Sequence, residues 1–168
     1  MPGVRRARLG GVGGVAVLFL SSCATPLVVS PAPHAADPNC AAVMLAMPDT
    51  VGGLARRATT SQATDSWGDE YPIVVRCGVD VPGPSTDTCV TITTTGYTAD
   101  WIVREEPDAW IATTYGRNPA VEAIVPKIRA DAAVDEVLTE LTPPASLAGT
   151  TGRACVGLGD AAAASPSP

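Results

Sequence analysis

The sequence predicts an α+β domain, a mostly antiparallel sheet of five or six strands with an N-terminal and a C-terminal helix packed on one face. Three observations carry this prediction. Helical patterns stand at the two ends of the chain, β-branched segments lie between them, and the connections are too short for repeated βαβ crossovers. The 168 residues, 46% of them hydrophobic, suffice for one such domain.

The N-terminal elements follow from local signals. Asp37 and Pro38 are typical of a helix start, which predicts a helix over about 38–47 that ends at Pro48. A first strand is expected within 51–59, and the polar stretch 61–71 is predicted to be a loop.

The remaining strands are read from β-branched residues and alternation. Residues 72–77 form the strongest strand candidate and are expected at the centre of the sheet, followed by a proline-rich loop over 78–88. Further strand segments are predicted at 90–95, 101–104, 109–115 and 120–125, the last two joined as a hairpin by the turn at 116–119.

The C-terminal helix is predicted from apolar residues that recur every three to four positions between Ile128 and Leu141. Pro143 and Pro144 are expected to end it.

The N-terminus has the pattern of a bacterial lipoprotein leader. Three arginines precede an uncharged apolar stretch over 9–20, and Leu20-Ser21-Ser22-Cys23 matches a lipobox. The apolar stretch, roughly twelve residues, is shorter than the roughly 20 that a spanning helix needs. We therefore expect a signal peptide at 1–22, a lipidated Cys23 with a flexible tether over 23–37, a globular domain over 38–156 and a disordered tail over 157–168; a plain secretory signal is the alternative.

The charge excludes one class of partner. The formal charge of -6 becomes -9 once the three leader arginines are removed. A nucleic acid partner is not expected, because phosphate contacts need clustered lysine and arginine.

The other four cysteines predict two disulfides in an oxidising compartment. Of the three possible pairings we favour Cys77 with Cys89 and Cys40 with Cys155, since the first closes a turn-rich loop and the second joins the ends of the domain. No two of the four have the close spacing of a zinc site, so no metal is expected.

The sequence predicts no enzyme and no cofactor. The single histidine, His34, falls in the expected tether, and no P-loop, zinc-protease or nucleophile-elbow motif occurs. The acid pairs at 69–70 and 105–106 lie in polar turns; an enzyme that uses carboxylates such as Asp69 or Glu122 is the least favoured hypothesis.

Arginines and tryptophans are the candidate binding residues. Arginine and tryptophan are enriched in interface hot spots, although both can instead serve as ion-pair partners and core residues. Trp67 is the best surface candidate because its neighbours are polar. The full set of candidates is Arg57, Trp67, Arg76, Trp101 and Arg117.

The chain also resembles the actinobacterial envelope family called domain of unknown function 3515, over about 39–156. The resemblance is carried by Cys40, Met47-Pro48, Arg57, Trp67-Gly68-Asp69, Ile73 to Val79, Trp101, Gly116-Arg117, Val125-Pro126 and Cys155. It implies an extracytoplasmic, often lipidated protein of a high-GC Gram-positive bacterium, and it implies no established activity and no catalytic residues.

Two functions are therefore expected. The first is a non-catalytic cell-envelope lipoprotein, anchored to the outer face of the cytoplasmic membrane through diacylglycerol on Cys23, which binds an envelope protein or a cell-wall component. The alternative is a small-ligand carrier or sensor with a pocket between sheet and helix. An exposed tryptophan patch would favour the first, and a deep apolar pocket the second.

Overall fold

The computed structural model describes residues 25–129 and 133–156. The predicted leader, the lipidation candidate Cys23 and the predicted tail at 157–168 lie outside these residues. The elements in chain order are α1 (Cys40–Leu45), β1 (Thr50–Val51), β2 (Leu54–Arg57), β3 (Thr64–Trp67), β4 (Ile73–Val79), β5 (Thr88–Thr94), β6 (Tyr97–Glu105), β7 (Ala109–Tyr115), β8 (Arg117–Asn118), β9 (Ala120–Pro126), α2 (Val134–Ala145) and β10 (Gly149–Thr150).

Eight strands form one antiparallel sheet in the order β1-β2-β3-β4-β9-β7-β6-β5, and β8 pairs with β10 in a small second sheet. The α+β class, the mostly antiparallel sheet and the β7–β9 hairpin are confirmed. The predicted number of five or six strands is wrong, because the short strands at the N-terminal end of the sheet were not separated from their loops.

Strand β3 shows why the number of strands was underestimated. The stretch 61–71 was expected to be a loop, yet all four β3 residues are buried between β2 and β4. Its polar groups are paired: the Ser66 hydroxyl donates to the Arg57 carbonyl, and the Asp65 carboxylate accepts from Arg56. Pairing with two neighbouring strands thus overrides the low strand propensity of a polar segment.

Alternation along β4 separates the two faces of the sheet. Ile73, Val75 and Cys77 are fully buried, whereas Val74 and Arg76 point to the other side. The first face, which we call the helix face, packs with Val43 of α1 and with Val137, Leu138 and Leu141 of α2 in the main core cluster. The second, which we call the groove face, carries the polar and charged residues considered below.

Both helices differ from their predicted bounds. Helix α1 is shorter than 38–47, because the Asp37 carboxylate accepts the Asn39 N–H in a turn that precedes it. Helix α2 begins at Val134 and includes Pro143 and Pro144, so the prediction that these prolines end it is wrong. They lie in the last turn, where each proline removes one N–H donor from the helix, yet the Ser146 N–H beyond them still donates to the Thr142 carbonyl. No described helix has the length and apolar character needed to cross a membrane.

The expectation of an unfolded tether is wrong for residues 25–37, which lie against the domain. The Leu27 N–H donates to the Ala58 carbonyl, and the His34 N–H donates to the Gly78 carbonyl, each at 2.8 Å. Gly78 is required there: its φ is +89°, and a Cβ at this position would lie 2.3 Å from the His34 carbonyl oxygen. The prolines of this segment lack the N–H groups that a sheet would need, but they do not prevent it from packing as an extended chain.

Two disulfides are present, and the favoured pairing is wrong. Cys40 is bonded to Cys77 and Cys89 to Cys155, each with a Cα–Cα distance of 5.7 Å. Strands β4 and β5 are separated by three others, hence by about 19 Å at the usual strand spacing. Cys77 and Cys89 therefore lie much too far apart to be bonded. Cys77 faces α1, and Cys89 lies on the groove face, so each face has one disulfide.

Candidate functional site

The two tryptophan candidates lie in the core. Trp67 and Trp101 are both 0% exposed, so the prediction that Trp67 is a surface residue is wrong. Each indole N–H has a partner: that of Trp67 donates to the Pro48 carbonyl at 3.0 Å, and that of Trp101 to the Thr142 hydroxyl at 3.2 Å. The polar neighbours of Trp67 are buried with it in β3.

Arg57 and Arg117 hold parts of the fold together. The Arg57 guanidinium donates to the Thr25 carbonyl from Nε and Nη2, at 3.2 and 2.9 Å. Arg117 donates to the carbonyls of Ser146 and Ala148 just beyond α2, at 2.8 and 3.1 Å, and to that of Thr98 in β6 at 2.8 Å. These contacts fix the N-terminal segment and the C-terminal end of α2 against the sheet.

Arg76 lines the groove on the groove face, whereas Arg117 lines a separate, smaller hollow of about 260 Å³. Arg76 stands opposite Glu122 in the β4–β9 register, and both residues point to the groove face. Arg76 Nε and Nη2 donate to the same Glu122 oxygen, Oε1, at 2.9 and 2.6 Å. The Arg76 side chain is 26% exposed and that of Glu122 is 11% exposed.

This geometry leaves hydrogen-bonding capacity unused. Within residues 25–129 and 133–156, Arg76 Nη1 and Glu122 Oε2 have no hydrogen-bond partner. A guanidinium carries five N–H donors and a carboxylate has two acceptor oxygens. The pair therefore has an unused donor and an unused acceptor within the lining of the groove.

The groove above this pair has a volume of about 680 Å³. Its floor extends across four adjacent strands, from β4 through β9 and β7 to β6, where Ile102, Arg104 and Thr113 join Arg76 and Glu122. Arg104 is exposed and has no ion-pair or hydrogen-bond partner among the described residues. Sequence reasoning missed Arg104, although its two-residue spacing from Ile102 places both on one face of a strand.

Two chain segments form the walls of the groove. Pro31 and Pro33 of the N-terminal segment stand on one side, and the loop after β4 contributes Asp80, Ser85 and Asp87 among others. The Arg153 guanidinium donates to the carbonyl of Pro82 in this loop, and the disulfide of Cys155 holds the Arg153 segment on the sheet. Prolines restrict the unfolded chain, so such walls lose little entropy when they become ordered.

The groove has the chemistry of binding. Its lining carries two guanidinium groups, Arg76 and Arg104, and three carboxylates, Glu122, Asp80 and Asp87. This mixture suits a ligand that carries both a carboxylate and N–H donors. His34, the only histidine, contacts Asp80 at 3.2 Å on the outside, where both side chains are largely exposed. Within the described residues no group of three potential metal ligands occurs.

A second arginine–carboxylate pair lies on the opposite face. Arg56 Nε donates to Asp65 Oδ1 at 2.8 Å and Nη2 to Asp65 Oδ2, while the same guanidinium reaches the carbonyls of Met44 and Met47 at 3.4 Å. The hydrogen bond to Asp65 raises the pKa of Arg56 above its usual value, against the opposing effect of burial. Both Asp65 oxygens are bonded, so this pair holds structure together.

Comparison with known proteins places the chain in a group without an assigned activity. A family model described as a protein of unknown function, DUF3515, matches residues 9–146. No curated protein and no solved structure matches the chain.

Proposed function

Because the chain belongs to the DUF3515 family of proteins of unknown function, we propose its function from its own residues. It is a non-catalytic actinobacterial lipoprotein, anchored by diacylglycerol on Cys23 at the outer face of the cytoplasmic membrane, and it binds another envelope component in the groove. The observation that carries the binding role is the Arg76–Glu122 pair, which lines the groove, uses one carboxylate oxygen and leaves Oε2 and Nη1 without a partner among the described residues.

The location is supported by two independent features. The leader ends in a lipobox-like Leu20-Ser21-Ser22-Cys23. Both disulfides favour an oxidising compartment, since cytosolic thiols are kept reduced. Two acyl chains on one cysteine provide the two-signal anchoring that is needed for stable attachment.

The groove suits an extended peptide of an envelope protein. Its floor lies across four strands and its walls are proline-rich, so an extended chain can lie along it. Arg104 is free to bind an acidic side chain or a terminal carboxylate, while Glu122 Oε2 can accept a peptide N–H from the same ligand. Trp67 contributes only by supporting β3, because its ring is buried.

The test is affinity capture from cells with matched charge variants. Arg104→Gln and Lys127→Gln each remove one positive charge, and only Arg104 lines the groove. A hydrogen bond to a charged group is worth about 1.5–3 kcal/mol, so Arg104→Gln should weaken partner capture by roughly 10- to 100-fold. Lys127→Gln should capture as the parent does. Equal capture by parent and both variants would refute the groove as the binding site.

A small-ligand carrier is the second candidate. The groove volume of about 680 Å³ lies within the range of small-molecule sites. It lies on the groove face, however, whereas the expected position between sheet and helix is filled by buried side chains such as Leu138 and Leu141. Native mass spectrometry of the purified protein should then show a bound carboxylate-bearing molecule, which Arg104→Gln releases.

A further inference from the structure

The N-terminal segment is fixed to the domain from its first described residue. Two N–H groups of Arg57 donate to the Thr25 carbonyl, and Leu27 pairs in both directions, donating to Ala58 and accepting from Thr60. Thr25 is only two positions after Cys23. Consecutive Cα atoms are about 3.8 Å apart, so at most about 7–8 Å separates Cys23 from this fixed point.

Such a short connection cannot hold the domain away from a bilayer. If Cys23 carries the lipid, the surface around Thr25 must lie at the headgroups. This surface belongs to one end of the sheet, where β3 ends and β4 begins, because Arg57 also contacts the Asp69 carbonyl at 3.4 Å.

Exposed apolar side chains are present at that end. Tyr71 is 57% exposed, Val28 84% and Ile128 64%. They form one region: Val28 and Pro72 line the same shallow hollow, and the Arg129 guanidinium, next to Ile128, donates to the Tyr71 carbonyl. We call these three side chains the membrane-contact patch.

We propose that the membrane-contact patch lies on the outer leaflet of the membrane, so that the domain sits directly on the lipid headgroups. The inference rests on the proposed lipid anchor at Cys23. Tyrosine is favoured at membrane interfaces, where its ring is buried and its hydroxyl stays wet. The cations Arg57, Lys127 and Arg129 adjoin the patch, although Asp69, Glu70 and Glu105 balance their charge.

The charge distribution also sets the tilt. The turn between β6 and β7 lies at the same end of the sheet and carries Glu105, Glu106 and Asp108. Moving these carboxylates out of water into the interface is costly. The β3–β4 side of the domain is therefore closest to the membrane, and the β6–β7 turn is held further from it.

The test measures which end of the sheet touches lipid. Full-length protein is processed in cells, purified from membranes and reconstituted in phosphatidylcholine vesicles with or without bromine on the upper acyl carbons, which quenches nearby tryptophan. Tyr71→Trp reports on the patch. Tyr97→Trp is the matched control, because Tyr97 is also exposed but lies at the opposite end of the sheet, beside Thr98, which Arg117 contacts. Emission of the unsubstituted protein is subtracted.

Brominated lipid should quench most of the emission added by Tyr71→Trp and leave that added by Tyr97→Trp unchanged. Ile128→Trp provides a second reporter and should behave as Tyr71→Trp does. Acylated protein that floats with the vesicles but shows no quenching at either patch position would refute the contact and leave the anchor intact. Absence of acyl mass on Cys23 would refute the anchor, and the contact with it.

Discussion

Each face of the sheet contains one arginine–carboxylate pair that joins two neighbouring strands. The two pairs differ in how many of their hydrogen-bonding atoms have a partner within the protein. On the helix face Arg56 binds both oxygens of Asp65 and two backbone carbonyls. On the groove face Arg76 binds one oxygen of Glu122 and leaves the other open to the groove. Both pairs consist of an arginine and a carboxylate, so residue type does not distinguish them. We distinguish a structural pair from a binding pair by the number of donors and acceptors that remain without a partner. The predictions below test that difference.

The largest effect is expected from the buried tryptophan of the helix face. Trp101→Ala removes a fully buried ring and leaves the Thr142 hydroxyl without its indole partner. Loss of such a ring costs about 3–5 kcal/mol, measured as the free energy of unfolding in urea. Tyr97→Ala, at an exposed tyrosine, is the control and should change stability little. A similar loss for both variants would show that the helix face is not the main core.

The disulfides should separate stability from binding. Removing either disulfide with a double Cys→Ala variant should cost about 2–4 kcal/mol, because the loops closed span 37 and 66 residues. Only loss of Cys89–Cys155 frees the segment whose Arg153 supports the groove loop. Partner capture, measured at a temperature where both variants are folded, should fall for Cys89→Ala/Cys155→Ala alone. Equal capture by both would contradict a groove supported by the C-terminal segment.

Replacing the arginine by glutamine should have different effects in the two pairs: it should mainly lower stability at Arg56 and mainly weaken partner capture at Arg76. Arg56→Gln leaves a buried carboxylate with poorer partners and should cost about 2–3 kcal/mol of stability, with capture unchanged in the folded protein. Arg76→Gln should cost less stability, because Glu122 Oε2 already faces the groove, and should weaken capture. Urea unfolding and capture on the same samples measure both. The reverse assignment would overturn the distinction between the pairs.

The smallest effect is expected at a single core hydrogen bond. Thr142→Val keeps the shape of the side chain and leaves the Trp101 indole N–H unpaired, at a cost of about 1 kcal/mol. A thermal unfolding scan should detect a small decrease in melting temperature. A variant more stable than the parent would show that this bond adds nothing to packing.

The accuracy of the sequence-based prediction differs between elements. It depends on whether an element is determined by its own residues or by contacts with other segments. Local patterns predicted the exact bounds of β7, most of β4 and β9, and the presence of two helices. Alternation, β-branched residues and helical periodicity are properties of a few consecutive positions, so they can be recognised from the sequence. Strand β3 depends on its pairing with β2 and β4, and the packed N-terminal segment depends on partners distant in sequence. The polar composition and the prolines of these segments, taken alone, predict loops.

The site was harder to predict than the fold. Arg76 was identified from its position in a strand, but its relation to Glu122 and Arg104 requires the strand order β4-β9-β7-β6, which sequence spacing alone does not give. The same order decides the disulfides, since it places β4 and β5 on opposite sides of three strands. Trp67 was misjudged because its neighbours in sequence are polar, whereas those in space are the core.

The most direct test of the groove is photo-crosslinking in cells from one position on each face. A photoreactive amino acid replaces Ser85, in the groove wall, or Leu45, an exposed residue of α1 on the opposite side. We predict a specific adduct from position 85 that disappears when Arg104→Gln is added, and none from position 45. An adduct from position 45 alone, no adduct from position 85, or one that persists with Arg104→Gln would contradict binding in the groove.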